Sequence, residues 1–162
     1  MIIPLILKGG IKVRNKNKAR KFGSIQKKID TISDYLREHN YSIVEIQAKE
    51  LISYFDGEAP SGDTITLEQV LQSKWLLVHE VVEICELKKL GYSISFDLLV
   101  SKPIEVFQAH LTATKWELQL AKKEGADEWI RKRLNNVRSW LEDPNLLPTF
   151  TSKCHELLQK YG

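Results

Sequence analysis

Two histidines in this sequence share a helix face with carboxylates. His79 is followed by Glu83 and Glu86, and His110 is followed by Glu117. Spacings of four and seven residues place each set on one stripe of an α-helix. Imidazole and carboxylate groups bind zinc, iron and manganese, so two such stripes that face each other would hold one divalent ion. The candidate ligands of a metal site are therefore His79, Glu83, Glu86, His110 and Glu117.

A simpler interpretation is that each histidine hydrogen-bonds a glutamate, as buried histidines in helical domains commonly do. The spacing is neither the His-Glu-x-x-His of zinc proteases nor the Glu-x-x-His of di-iron bundles. Hydrogen-bonded pairs are therefore favoured, and the metal site is the hypothesis that carries a function. In that hypothesis the ion activates a water molecule, as in metal-dependent hydrolases, with Glu117 or Glu86 as the base. The residues do not name a substrate.

Two long helices are needed to position these side chains. The first begins at the capping box Thr66-Leu-Glu-Gln69 and ends at Gly91, a residue suited to the left-handed position after a helix. Its apolar residues lie almost all the way round, which predicts a central helix with a buried His79. The second begins at Pro103 and ends near Lys123. On its histidine face, small residues leave room for an ion, a water molecule or a small ligand: Ala113, Thr114 and Ala121.

The complete pattern predicts an all-α bundle of about six helices. The remaining helices follow from caps and breaks in the sequence. They are a first helix from Gly23 to about Asn40, a second from the capping box Ser42-Ile-Val-Glu45 to about Phe55, a helix over residues 127–142, and a short closing helix from Thr151.

Positive charge is concentrated at the start of the chain. Residues 1–29 contain nine basic residues and no acidic one, whereas the rest of the chain carries a net negative charge. The chain is therefore divided into a strand-like or extended basic arm, residues 1–22, and a helical domain, residues 23–162. Such an arm is expected to meet something anionic, either nucleic acid or the acidic body of a neighbouring subunit. The basic residues that would contact nucleic acid are Lys12, Arg14, Lys16, Lys18, Arg20 and Lys21.

The apolar beginning of the arm slightly favours assembly over nucleic-acid binding. The segment Met-Ile-Ile-Pro-Leu-Ile-Leu is too apolar to be left in water, and a buried or exchanged strand in a homodimer would explain it. The alternative to the metal hypothesis is accordingly a non-enzymatic binding or assembly module, whose arm contacts a partner subunit or nucleic acid.

The composition is that of a globular protein in a reducing compartment. The chain has 162 residues, of which 43% are hydrophobic and 28% charged. Its two cysteines, Cys85 and Cys154, are too few for a disulfide framework, which favours a cytoplasmic location. No apolar run reaches the roughly 18 residues of a membrane span. The beginning of the chain also lacks the basic region and cleavage site of a signal peptide.

One further stripe could bind a partner. Trp129, Arg133, Asn136 and Trp140 follow one another along the helix of residues 127–142. If exposed, they could stack on nucleic-acid bases or anchor another protein. The favoured alternative is a wide apolar face on which Arg133 lies over an indole ring.

Overall fold

The computed structural model describes the backbone of residues 8–9, 18–56 and 65–162, and the side chains of residues 21–56 and 65–162. Helices make up 75% of the structure, which confirms the predicted all-α bundle. The helices of the described residues are α1 (Lys18–Glu38), α2 (Ala48–Tyr54), α3 (Leu67–Gln72), α4 (Lys74–Lys89), α5 (Leu98–Ser101), α6 (Pro103–Lys123), α7 (Asp127–Trp140) and α8 (Pro148–Tyr161). Two short strands, β1 (Lys8–Gly9) and β2 (Ile65–Thr66), pair in parallel.

Several predicted helix ends are confirmed. Asn40 and Gly91 follow α1 and α4 with φ angles of 65° and 89°, as expected for residues that end a helix in the left-handed conformation. The capping box at Thr66 is present, because its hydroxyl accepts from the Gln69 N–H and the Gln69 side chain accepts from the Thr66 N–H. Helix α6 begins at Pro103 and ends at Lys123, as predicted.

The helix predicted from Thr66 to Gly91 is in fact two helices. Ser73 has extended backbone angles, φ −119° and ψ 119°, and separates α3 from α4. Its hydroxyl accepts from the Leu76 N–H, so Ser73 is the N-cap of α4. This break could not be recognised in the sequence. Apolar residues lie almost all the way round the predicted helix, so the pattern does not change at Ser73.

The second predicted helix begins later than expected. Residues 41–47 are not helical, and α2 begins at Ala48 with a capping box between Gln47 and Glu50 instead of between Ser42 and Glu45. Gln26 on α1 explains the extended segment, since its side chain donates to the Ile46 carbonyl and accepts from the Ala48 N–H. The contact with Gln26, which is distant in the sequence, thus overrides the local capping signal at Ser42.

Two other predicted starts lie too late in the chain. Helix α1 begins at Lys18, within the predicted arm, and Gly23 lies inside it. Helix α8 begins at Pro148, which occupies its first turn, instead of at Thr151. The predicted irregular stretch from Tyr92 is present, and it ends in the four-residue helix α5.

Helices α4 and α6 pack against each other along most of their length and form the centre of the molecule. Helix α6 lies between two apolar clusters, and its opposite faces contribute to both. One cluster contains α1 to α5 with Ala109 and Ala113, and the other contains α7 and α8 with Phe107 and Leu118. None of the helices in the described parts of the chain has the length and apolarity that a bilayer crossing requires.

Candidate metal centre

Three ligand atoms from α4 and α6 lie within hydrogen-bonding distance of one another. His79 and Glu83 are one turn apart on α4, and His110 lies on α6. His79 Nε2 is 2.8 Å from His110 Nδ1 and 3.1 Å from Glu83 Oε2, and His110 Nδ1 is 3.0 Å from Glu83 Oε2. All three side chains are buried. Among the described residues, this is the one group of three His, Cys, Asp or Glu side chains close enough to share an ion.

The sides of this triangle match one face of an octahedral coordination sphere. Neighbouring ligands at about 2.1 Å from an octahedral ion are about 3.0 Å apart, whereas tetrahedral ligands with that bond length are about 3.4 Å apart. The three sides here are 2.8, 3.0 and 3.1 Å. Two histidines and one carboxylate on one octahedral face form the ligand set of non-haem iron(II) sites. The cluster could therefore hold one divalent ion.

Two further side chains orient the ligands. Tyr54 on α2 donates a hydrogen bond to Glu83 Oε1, which leaves Oε2 for the triangle. His79 Nδ1 is 2.8 Å from Glu117 Oε2. A carboxylate only accepts, so His79 carries a proton on Nδ1 and presents Nε2 to the triangle. A histidine that donates one nitrogen to a carboxylate and binds metal through the other is a common arrangement in metalloproteins.

Glu117 is itself held in place by two donors from α7. Its Oε1 atom accepts from Trp129 Nε1 and, at 2.8 Å, from Arg133 Nε. Glu117 has no exposed surface, and Arg133 is 3% exposed. With Oε2 bonded to His79, both carboxylate oxygens are occupied. Glu117 therefore connects α7 to the triangle through His79 and does not itself form a corner of it.

Burial and neighbouring charges shift the pKa values of the two histidines in opposite directions. Burial lowers the pKa of His79, but the hydrogen bonds to Glu117 and Glu83 outweigh it and raise the pKa above its usual value. Burial, reinforced by His79, lowers the pKa of His110 to about 4. A protonated His79 and Arg133 would balance the charges of Glu83 and Glu117. A proton and a metal ion thus compete for the same position at His79 Nε2.

Of the five predicted ligands, the structure brings four into one network and leaves the fifth outside. Glu86 Oε1 accepts from Tyr41 at 2.6 Å and from Lys89 at 3.0 Å, so its carboxylate is bonded to the extended segment before α2 and to its own helix instead of to His79. The small residues expected beside His110 are fully buried, and Thr114 donates to the His110 carbonyl.

Tyr54, Trp129 and Arg133 belong to the site although the spacing of histidines and glutamates does not predict them. Arg133 had a recognisable signal, because it is a cation in a stripe of tryptophans, and a buried cation requires a buried acid. The favoured interpretation of that stripe is confirmed, since Trp140 is buried and the Arg133 guanidinium carbon lies 5.8 Å from the centre of a Trp129 ring. Tyr54 had no such signal.

The predicted nucleic-acid contacts fall mostly outside the described residues. Lys12, Arg14 and Lys16 lie outside them altogether, and Lys18 and Arg20 belong to the first turn of α1 without described side chains. Lys21 is exposed. Nucleic-acid binding by the arm stays a prediction.

Comparison of the chain with protein-family models, with curated proteins and with solved structures finds no match in any of the three.

Proposed function

We propose that this protein binds one divalent transition-metal ion, Fe²⁺ or Mn²⁺, between α4 and α6. The ligands are His79 Nε2, Glu83 Oε2 and His110 Nδ1, and the remaining octahedral positions are left for water or a small ligand. The observation that carries the proposal is the mutual distance of these three buried atoms, 2.8 to 3.1 Å. Zn²⁺ suits the same ligand types but prefers the longer separations of a tetrahedral site.

The contacts around the triangle are those of a hydrogen-bonded cluster, and they also support a metal site. His79 and Glu83 each have one atom in the triangle and the other bonded to a separate partner, Glu117 or Tyr54. Ligands whose orientation is already fixed by such hydrogen bonds lose little conformational freedom when an ion binds. The charge of a divalent ion would also offset the carboxylates of Glu83 and Glu117 after His79 loses its second proton.

Neither carboxylate considered as a base in the sequence is placed to deprotonate a metal-bound water. Glu117 is bonded through both oxygens, and Glu86 is bonded to Tyr41 and Lys89. A hydrolytic activity is therefore not part of this proposal. The ion would instead link the two central helices, and through Tyr54 and Glu117 it would also fix α2 and α7.

Metal binding is tested by stripping the protein with a chelator and adding Fe²⁺ without oxygen, Mn²⁺ or Zn²⁺ separately. We expect one ion per chain by elemental analysis with Fe²⁺ or Mn²⁺, whatever the affinity for Zn²⁺, which at nitrogen and oxygen ligands generally exceeds theirs. At a free metal concentration one hundred times the Kd, the thermal midpoint should rise by roughly 5–10 °C, because the ion binds the native state alone.

Variants of α4 and α6 assign the effect to the triangle. Glu83→Gln and His110→Phe should each abolish the thermal increment, since each removes a ligand, while Glu86→Gln on the same helix should retain it. Circular dichroism would verify that each variant is folded. An unchanged thermal midpoint with all three metals, or an undiminished increment in folded Glu83→Gln, would contradict the proposal.

A further inference from the structure

A cleft on the surface is lined by Arg133 and extends between α3 and α7. Its volume is about 420 Å³, which lies within the usual range of small-molecule sites. Its lining includes the polar residues Gln69, Gln72, Ser73, Lys132, Arg133 and Asn136 and the indole of Trp129. These described lining residues include two cations and no carboxylate; the charge of Arg133 is paired with Glu117 behind the cleft, so Lys132 supplies the positive charge that is not balanced there.

Arg133 has hydrogen-bonding capacity that its partners do not use. A guanidinium group has five N–H donors, and in Arg133 the Nε–H donates to Glu117. Within the described residues, no acceptor lies within hydrogen-bonding distance of the remaining four. The side chain is nevertheless only 3% exposed. Its terminal nitrogens are not among the buried polar atoms of the described residues that lack a partner, so the small exposed area of the side chain includes donors that open into the cleft, and a bidentate oxyanion is the partner that fits these nitrogens best.

Lys132 lies next to Arg133 in the sequence and also lines the cleft. Its Nζ atom lies 5.4 Å from the centre of a Trp129 ring, and the Arg133 guanidinium carbon lies 5.8 Å from the centre of a ring of the same indole. The opposite wall carries the amides of Gln69 and Gln72, and Asn136 lies one turn along α7 from Lys132. The amides of Gln72 and Asn136 can both donate and accept, and Gln69 can donate through Nε2 because its Oε1 accepts from Thr66 in the capping box; such groups suit the polar body of an organic molecule.

We propose that this cleft binds a small organic oxyanion, either a phosphate ester or a carboxylate. Arg133 and Lys132 contact the oxyanion, and the amides of Gln69, Gln72 and Asn136 contact the remainder of the molecule. The proposal is independent of metal binding, because the cleft and its charges exist without an ion. Arg133 nevertheless connects the two sites, since it donates to Glu117, which in turn is bonded to His79.

The test is calorimetric titration of the full chain, in the presence of chelator, with four probes: adenosine monophosphate, adenosine, citrate and inorganic phosphate. We expect adenosine monophosphate or citrate to bind, and the stronger of the two identifies phosphate ester or carboxylate as the ligand class. Adenosine should not bind, because it lacks the oxyanion. Binding of adenosine as strongly as its monophosphate, of inorganic phosphate as strongly as either organic anion, or of no probe at all would overturn the proposal.

Matched variants of α7 locate the binding in the cleft. Asn136→Phe places a ring in the cleft and should abolish binding, whereas Asn135→Phe, also exposed but outside the cleft, should leave it unchanged. Lys132→Gln should weaken binding about tenfold, as expected for the loss of a charged contact, and Arg131→Gln should not. All four substitutions are at exposed positions, so they leave the Arg133–Glu117 contact in place. Equal affinity in Asn136→Phe and wild type would refute the location.

Discussion

Glu117 stays ionised although it is completely buried. Burial raises the pKa of a carboxyl group, but Arg133 and His79 outweigh that effect and lower the pKa of Glu117 to about 2. The pKa of His110 is shifted against its charged form, because burial and the neighbouring His79 outweigh its contact with Glu83. Its own ring lies 4.8 Å from that of Trp140 and 5.8 Å from that of Phe107, and its Nε2 has no hydrogen-bond partner among the described residues. His110 is therefore held in its neutral form.

The neutral state of His110 predicts how stability depends on pH in the metal-free protein. The pKa of His110 is about 4 in the folded state, against 6.5 as its ordinary value. The unfolded chain therefore takes up this proton first as the pH falls. Between about pH 6.5 and 4, the free energy of unfolding should decrease by up to about 3 kcal/mol. His79 does not add to this slope, because its raised pKa affects stability only at higher pH.

Urea unfolding at a series of pH values, with chelator present, measures this slope. His110→Phe should flatten it between pH 6.5 and 4.5, before most carboxylates titrate. The exposed His155→Phe serves as the control for loss of a histidine and should retain the wild-type slope. An equal slope in wild type and His110→Phe would show that another group is responsible.

The sequence predicted which histidines and glutamates could lie close together. It could not predict which of them form the triangle and which orient its members. Helical spacing placed Glu83 and Glu86 equally well beside His79. The two glutamates differ in position because Tyr54 donates to Glu83 and Tyr41 donates to Glu86. Both tyrosines lie far from the glutamates in the sequence. The role of Glu117 likewise depends on Trp129 and Arg133, which are contributed by α7. Contacts of this kind follow from packing, which no local pattern specifies.

At the scale of the elements, the break at Ser73 determines where α4 starts. Without it, α3 and α4 would form one straight rod, and the side chains on the two segments would lie on a common helical stripe. The break allows Leu67 and Val70 of α3 to be buried while α4 is buried on nearly every side. Gln69 and Gln72 of α3 consequently face the cleft beside α7.

Replacement of Ser73 by alanine tests the cap of α4. Ser73→Ala removes the hydroxyl that accepts from the Leu76 N–H, and we expect the free energy of unfolding to fall by about 1 kcal/mol. Ser152→Ala is the control, because Ser152 is exposed inside α8, where alanine is a better helix former by a few tenths of a kcal/mol. Chemical denaturation of both variants gives the comparison. A stabilised Ser73→Ala would mean that the two helices can fuse.

Helix ends were predictable where one residue has an unusual backbone requirement, as at Asn40, Gly91 and Pro103. They were not predictable where a distant side chain satisfies the backbone. The extended segment before α2 is the clearest example, because Gln26 makes both of the contacts that a local helix would have made. The architecture could thus be predicted from periodicity, whereas the start of α2 required a tertiary contact.

At the scale of the whole molecule, the basic arm and the helical body have opposite charge. Residues 1–29 carry nine basic residues and no acid, while the rest of the chain is net acidic. Lys8–Gly9 pairs in parallel with Ile65–Thr66, just before α3. The charge pattern is compatible with either an assembly element or a nucleic-acid contact, and salt dependence distinguishes the two.

We expect the arm to act in assembly. Deletion of residues 1–16, which ends before α1 begins, should convert a homodimer into a monomer in light-scattering measurements. Wild-type protein should not bind duplex DNA or RNA at low salt. Binding that falls steeply with salt and is lost on deletion would instead identify the arm as a nucleic-acid contact. Replacement of Lys12, Arg14 and Lys16 by glutamine serves as the matched variant, because it removes charge without shortening the chain.

The burial of α4 has a consequence for the rate at which a metal ion could enter and leave. From Leu77 to Cys85 every residue of α4 is buried, and the polar network is bonded to α6 and α7 through Glu117 and Arg133 and to α2 through Tyr54. An ion bound to His79 and Glu83 could leave only when one of these helices separates from α4. Such openings require a large part of the free energy of global unfolding. The residence time of the ion would then be set by the lifetime of the folded state, so that chelators would remove it slowly even when its equilibrium affinity is modest.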